Sequence, residues 1–411
     1  MPSPTRRAFL TTSAAAGAAA FAAPAVNALG ANDRLNVGVI GFGNRGRTIS
    51  TEAIKNGCRL VALADVAPFR FAAAKAMLDR LGSTAKPQRY EDYRKLLDNK
   101  DVDAVIIATP DHHHKDCLLA AMAADKHAYV EKPLSHTIEE GKEMVAAVRK
   151  AGKIVQVGNQ RHSGAHWKRA RDVIQSSDFG NLVWVKVWDC RNWIKRDPFA
   201  PPKDFDKEAG EEIDWAAFLG KAPRRAFDPV RYWSWRWYWD YAGGLMTDIG
   251  AHQLDIVQWL GGVDAPRTVV ANGGVYHFKH WETPDVIHGV WDYGKFAATF
   301  AVEFVNGYDG VGATFYGTKM TLHADAESEI RVYETIDKPK PNQPVKMSWK
   351  VENETPLHVK NWVESVKDNK DPNSTIELGH RVITAAHLAN LSYRKGTRVT
   401  WDAEKQQVTT G

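Results

Sequence analysis

Along the first 160 residues the chain alternates between short apolar runs and longer amphipathic ones. Leu35 to Ile40 is rich in Val and Ile and reads as a buried strand; it runs into Gly41-Phe-Gly43-Asn-Arg-Gly46 and a helical stretch to about Asn56. A second apolar run from Arg59 ends at Asp65, and Ala67 to Leu81 reads as a helix. The same alternation continues through strand Gln88–Tyr90, helix Asp92–Asp98, strand Val102–Thr109, helix His114–Ala124, strand His127–Pro133, helix Ile138–Ala151 and strand Ile154–Gln160. Strand–helix alternation on this scale predicts an α/β fold, a doubly wound parallel sheet of the Rossmann kind.

Past Gln160 the pattern changes. After a helix from about Ala165 to Ser176 come longer strands, Leu182–Arg191, Arg267–His277, Val286–Tyr293, Phe296–Phe304 and Val311–Gly317, some joined by tight turns. They predict a second, α+β domain built on a large, mainly antiparallel open sheet. Two further helices, Leu357–Asp368 and Leu378–Tyr393, are expected to return onto the first domain. The expected division is a leader over residues 1–28, a nucleotide-binding domain over 33–160, a substrate and oligomerisation domain over 161–375, and a returning helix and strand over 376–411.

The leader has its own signature. Thr5-Arg6-Arg7-Ala8-Phe9-Leu10 matches a twin-arginine export signal, and an Ala-rich apolar region to Val26 offers small residues for cleavage at Ala23, Ala25 and Ala28. An exported, periplasmic location is the expectation. No other stretch is long and apolar enough to span a membrane. A net charge of +5, spread without a basic block, gives no sign of nucleic-acid binding. Cys58, Cys117 and Cys190 are far apart and read as packing residues.

Chemistry gathers at the predicted carboxyl ends of the strands. Gly41 permits a tight turn, Gly43 lets backbone N–H groups approach a diphosphate, and Gly46 lets helix pack on strand. The helix N-terminus adds partial positive charge. Asp65 stands where a carboxylate accepts bonds from a ribose diol, which favours NAD, with NADP as the alternative because Arg45 and Arg47 are near. Phe42, Asn44, Arg45 and Pro110 fall on the same candidate cofactor surface.

Glu131-Lys132-Pro133 closes a strand, and a lysine held there can donate to a substrate hydroxyl and stabilise alkoxide charge. Asp248 and His252 follow Gly243-Gly244 on a predicted helix, spaced to share one face, so that the carboxylate could orient the imidazole as a general base. No metal is expected, since consecutive His112, His113 and His114 face different ways. Trp233, Trp235, Trp237 and Trp239 alternate, and an extended segment would show all four on one face, as a sugar-facing wall or as core.

Taken together, Gly41-x-Gly43-x-x-Gly46, Ala108-Thr-Pro-Asp-His112, Glu131-Lys-Pro133, Gly244-x-x-x-Asp248-x-Gly-x-His252 and the C-terminal Leu378-Gly-His380 stretch resemble the Gfo/Idh/MocA oxidoreductases, in their exported bacterial branch. The resemblance implies Lys132, Asp248 and His252 as the catalytic set. It also implies Thr109, His112, Glu131 and Gln160 along the cofactor, and Arg161 at the substrate; Trp235 and Tyr241 are further substrate candidates. The activity it implies is NAD-dependent oxidation of a secondary alcohol in a sugar or polyol. Redox-neutral glycoside cleavage through a transient ketone, or a sensor that binds cofactor without turnover, are the alternatives. The open sheet predicts a homo-oligomer, a dimer or tetramer.

Overall fold

The structure, a computed structural model, describes residues 34–203, 205, 210, 212–325, 328–336 and 343–409; the leader lies outside the described residues. The first sheet comprises β1 (Asn36–Ile40), β2 (Arg59–Ala64), β3 (Gln88–Tyr90), β4 (Ala104–Ile107), β5 (His127–Val130) and β6 (Val155–Val157). Its order is β3-β2-β1-β4-β5-β6 with every pair parallel. Ala104 to Ile107 are fully buried, which is why this strand reads as one unbroken apolar run. The order reverses between β1 and β4, so the crevice at their carboxyl ends is where a ligand binds in such sheets.

The carboxyl ends are shorter than the sequence pattern suggests. Thr109, Glu131 and Gln160 lie beyond β4, β5 and β6, and Gln160 opens a single 3₁₀ turn to Ser163. The helix after β4 spans Asp111–Ala123, starting three residues before the expected His114, because Pro110 suits the position just ahead of a first turn.

The second sheet adds β7 (Leu182–Cys190), β8 (Thr268–Gly274), β9 (Val286–Asp292), β10 (Ala297–Glu303), β11 (Val311–Gly317), β12 (Met320–Asp325), β13 (Glu329–Glu334), β14 (Met347–Lys350), β15 (Val399–Asp402) and β16 (Gln407–Thr409). Its order is β14-β13-β12-β11-β7-β10-β9-β8-β15-β16. All neighbours are antiparallel except β7 and β10, which run parallel, because the long segment after Cys190 frees β7 from hairpin pairing with β8. The sequence reading passed over β12 and β13, although Met320, Leu322, Ala324, Ile330 and Val332 are buried at alternate positions.

Helices join the two sheets. Gly250–Gly261 packs on β7 and β10, and Ile376–Lys395 packs on both β8 and helix Ile138–Ala151. Helix Thr355–Asp368 lies on helix Asn44–Lys55 of the first domain. The three cysteines are free and buried. Among the described residues no helix is long and apolar enough to cross a membrane.

Candidate active site

At the glycine loop the backbone leaves room in one place only. Gly41 has φ of 85°, and a Cβ there would meet the Ala108 carbonyl at 2.8 Å; a Cβ on Gly46 would sit 2.1 Å from the Gly41 carbonyl oxygen. A Cβ on Gly43 would meet nothing within 4 Å, which leaves an open cradle at the amino end of helix Asn44–Lys55. Asp65 Oδ2 accepts the Phe42 N–H at 2.7 Å and Oδ1 the Ala67 N–H at 3.0 Å. Burial pushes the Asp65 carboxyl up; these amides and the Arg70 charge pull it back. Among the described residues Thr109 Oγ1 is buried with no hydrogen-bond partner. An open cradle, a braced carboxylate and an unpaired hydroxyl fit a dinucleotide. Phe42 contributes its backbone, since its ring is 1 % exposed and belongs to the core.

Behind the cradle runs a polar chain. Arg45 Nε donates to Glu131 Oε1 at 2.7 Å, Tyr129 Oη donates to the same oxygen at 3.3 Å, and Gln160 Nε2 donates to Tyr129 Oη at 3.1 Å. Asn44 and Pro110 border this region, as the residue opening the first helix and the cap of the fourth-strand helix. His112 is engaged elsewhere: its Nε2 and that of His113 lie 2.9 and 2.7 Å from the Phe218 carbonyl oxygen. Burial and the neighbouring His113 push the His112 imidazole well below its ordinary range.

Lys132, joined to Pro133 by a cis peptide bond, reaches Asp248 twice, at 2.7 Å to Oδ1 and 2.8 Å to the main-chain carbonyl. A break in the helix makes the second contact available. Gly244–Asp248 and Gly250–Gly261 are separate helices, and the His252 N–H bonds to the Ile249 carbonyl at 3.0 Å. The Asp248 carbonyl, which an unbroken helix would give to His252, therefore accepts from Lys132.

This break corrects the expected Asp248–His252 pairing on one helix face. Among the described residues no hydrogen bond joins the two side chains; Asp248 lies between Lys132 and Arg236, whose Nε is 3.5 Å from Oδ2. Burial alone would raise the Asp248 carboxyl, but Lys132 and Arg236 outweigh it and hold it well below the carboxylate range. Burial, then Lys132 and Arg161, push the His252 imidazole well below its usual value, so it is neutral and able to accept a proton.

Arg161 docks the second helix onto the first domain. Its Nη1 donates to the His252 carbonyl at 2.9 Å and to Gln253 Oε1 at 3.2 Å, while Asn159 Nδ2 donates to the Ala251 carbonyl at 3.3 Å. These contacts hold Arg161 against the helix that carries His252. Tyr241 departs from expectation: its ring is fully buried against His112 and Phe218, with ring centroids 5.2 and 5.6 Å away, which makes it a packing residue.

The four alternating tryptophans do not form a wall. Pro229–Trp233 is helical and Trp235–Trp237 is a 3₁₀ turn, so their side chains diverge. Trp237 is fully buried and stacks on Trp281 at 3.9 Å, both indole N–H groups reaching the buried Asp197 carboxylate. Trp235 instead lies beside the Arg236 guanidinium, 4.2 Å from its ring centroid.

Two site residues escaped the sequence reading. Arg236 was masked by the tryptophans that flank it. Asp111, 2 % exposed, opens the helix after β4; burial and then the nearby Asp248 charge push its carboxyl well up, against Arg236 and Lys132.

With this geometry in view, likeness to known proteins is decisive. The family model described as the oxidoreductase family's NAD-binding Rossmann fold matches residues 35–159, and that of its C-terminal alpha/beta domain matches residues 221–401. The chain belongs to the Gfo/Idh/MocA oxidoreductase family. It is 25 % identical over 260 residues to the uncharacterized oxidoreductase YrbE of Bacillus subtilis, covering 61 % of this chain and 64 % of that one. It is 28 % identical over 178 residues to the myo-inositol 2-dehydrogenase of Thermotoga maritima (43 % and 49 %). With the levoglucosan dehydrogenase of Pseudarthrobacter phenanthrenivorans it shares 29 % identity over 234 residues (56 % and 51 %). The chain thus matches under two thirds of the length of these relatives. In solved structures, a levoglucosan dehydrogenase in complex with NADH and levoglucosan superposes with a TM-score of 0.70 at 18 % identity, covering 90 % of this chain and 99 % of that one. The family's cofactor is NAD, and the Gly43 cradle and Asp65 are where this chain fits it.

Proposed function

We propose that the protein is an NAD-dependent oxidoreductase acting on a secondary alcohol of a sugar or polyol. The observation that carries this is the convergence of Lys132, Asp248 and His252 at the carboxyl edge of the NAD-binding sheet. His252, neutral and half-buried, takes the hydroxyl proton. Lys132 donates a hydrogen bond to the same oxygen and stabilises its developing charge, and Asp248 fixes the ammonium in place. Held at the Gly43 cradle and Asp65, NAD would supply the hydride acceptor for the carbinol carbon. Relatives named as inositol, levoglucosan and anhydrofructose enzymes support a carbohydrate substrate.

A retained, recycled cofactor is part of the proposal. The segment from Ile213 to Tyr241 ties together the loops after β2 and β4, the two walls between which the adenosine end would lie. Asp214 N–H donates to the Val66 carbonyl at 2.9 Å, and the His112 N–H to the Tyr241 carbonyl at 3.2 Å. The imidazoles of His112 and His113 hold the Phe218 carbonyl of the same segment. A strap of this kind slows release, as an exported enzyme with little free NAD around it requires. Redox-neutral cleavage of a glycoside is the second reading, favoured by Asp111, a buried carboxyl pushed up by burial and the nearby Asp248 charge, which could protonate a leaving group.

Export through the twin-arginine route and self-association through the outer sheet face complete the reading. The outer face carries Trp184, stacked on Tyr316 at 4.5 Å, with exposed Val270 and Val290. The test is product analysis: purified protein incubated with free sugars, polyols and glycosides. Keto-sugar formation matched by reduced cofactor supports the oxidoreductase. Glycoside cleavage without net reduction selects the second reading, and no conversion of any carbohydrate refutes both.

A further inference from the structure

Arg236 stands out among the cations of the site. Its guanidinium carbon lies 4.3 Å from the Phe199 ring centroid and 4.2 Å from that of Trp235, a cation–π contact to each. Among the described residues its Nε is buried without a hydrogen-bond partner, and the nearest carboxylate oxygen, Asp248 Oδ2, is at 3.5 Å, longer than a charge-assisted bond. The side chain nevertheless keeps 22 % of its surface exposed.

The local charge balance sharpens the point. Asp248 gives its closer contact to Lys132, at 2.7 Å, and Glu131 is taken by Arg45, also at 2.7 Å. Burial and the Asp248 charge push the Asp111 carboxyl up, and burial pushes the His252 imidazole down. Arg161 is held by helix contacts on the far side of His252. Among the described residues Lys132 and Arg236 both turn to Asp248, and Arg236 is the more distant of the two, beside the group that would meet the substrate oxygen. Merely bracing Asp248 would not require a second cation, since Lys132 already binds both its carboxylate and its carbonyl.

We propose that Arg236 is a specificity residue that receives a carboxylate of the substrate, so that the preferred substrates are acidic sugars, of the uronic or aldonic acid class. The inference rests on the reading of Lys132, Asp248 and His252 as a carbohydrate site. A guanidinium lying against two rings keeps a planar fork of N–H donors, the geometry a carboxylate matches with two bonds. A neutral hydroxymethyl group in its place would leave the charge unpaired.

The experiment uses NADH-loaded full-length protein and matched pairs: D-glucuronate and D-glucose, D-galacturonate and D-galactose, D-mannuronate and D-mannose, D-gluconate and D-glucitol. Binding is measured by calorimetry, and turnover separately. In at least one pair the acid should bind roughly tenfold or more tightly, the scale of one charge-assisted contact. Arg236→Gln should abolish that preference while NADH affinity stays unchanged, and Arg236→Lys should restore part of it. In the unaltered protein the preference should shrink as salt rises from about 0.02 to about 0.5 M, which tests the charge without any variant. Equal or tighter binding of every neutral partner, no binding of any acid, or a preference that survives Arg236→Gln overturns the proposal. Oxidation of neutral sugars alone would leave the oxidoreductase standing and this inference refuted. Arg236-dependent binding of acids without conversion would do the reverse.

Discussion

Replacing Gly43 by alanine separates a phosphate cradle from a mere turn. Gly43 has φ of −70° and ψ of −168°, a conformation open to any residue, and its new methyl would touch nothing within 4 Å. The cofactor-free protein should therefore fold normally, and be more stable by about 0.4–1 kcal/mol through lost flexibility of the unfolded chain. The same methyl fills the space through which backbone N–H groups approach a diphosphate. Losing one or two charge-assisted bonds of about 1.5–3 kcal/mol each weakens NADH binding by roughly ten-fold to twenty-thousand-fold. The assay is thermal melting of stripped protein followed by calorimetric titration with NADH. Gly46→Ala is the contrast: its methyl would sit 2.1 Å from a backbone oxygen, so melting should fall even without cofactor. Unchanged NADH affinity in Gly43→Ala, with normal melting, would refute the placement of the diphosphate.

Other outcomes follow from the same geometry. Lys132→Ala and His252→Ala should each lower turnover by at least about a hundredfold with NADH still bound, the scale of lost proton handling, and near-normal turnover at saturating substrate would remove them from the mechanism. Asp65→Ser should narrow the preference for NAD over NADP, read as the ratio of kcat/KM values, and a wild-type preference for NADP would reverse the argument. His358 is buried neutral, its imidazole pushed down to about 3 by burial against a bond to the Val157 carbonyl, and burial likewise takes His387 to about 4. Because the unfolded chain binds these protons near pH 6.5, stability is complete above that pH and is lost as pH falls towards 3–4. At pH 5 each histidine should have cost about 2 kcal/mol, visible as a lower urea midpoint, and equal midpoints at pH 7 and 5 would contradict it. A monomer by light scattering at micromolar concentration would rule out association through Trp184 and Tyr316.

Much of the site was written in local sequence. The strands of the first sheet are buried on both faces, so their apolar runs need no knowledge of partners to be read, and the glycine spacing dictates a turn whatever surrounds it. Lys132 was legible for the same reason, as a lysine fixed by proline at a strand end. Buried alternation in β12 and β13 was equally present and went unread, because short edge hairpins give a weak signal beside long strands.

What the fold alone decided were matters of distant pairing. Spacing placed Asp248 and His252 on one helical face, but the ladder breaks at Ile249 and leaves the Asp248 carbonyl to Lys132, over a hundred residues earlier. Alternation of Trp233, Trp235, Trp237 and Trp239 suggested an extended wall, yet the buried Asp197 carboxylate draws the indole N–H of Trp237 inward and the chain coils around it. Arg161 became a clamp only when the second domain brought its helix within reach. Arg236 became an aromatic-flanked cation only once Phe199 folded over it. Periodicity and spacing report what neighbours along the chain can do; which carbonyl is left free, and which charge is left unmatched, depends on groups that meet only in three dimensions.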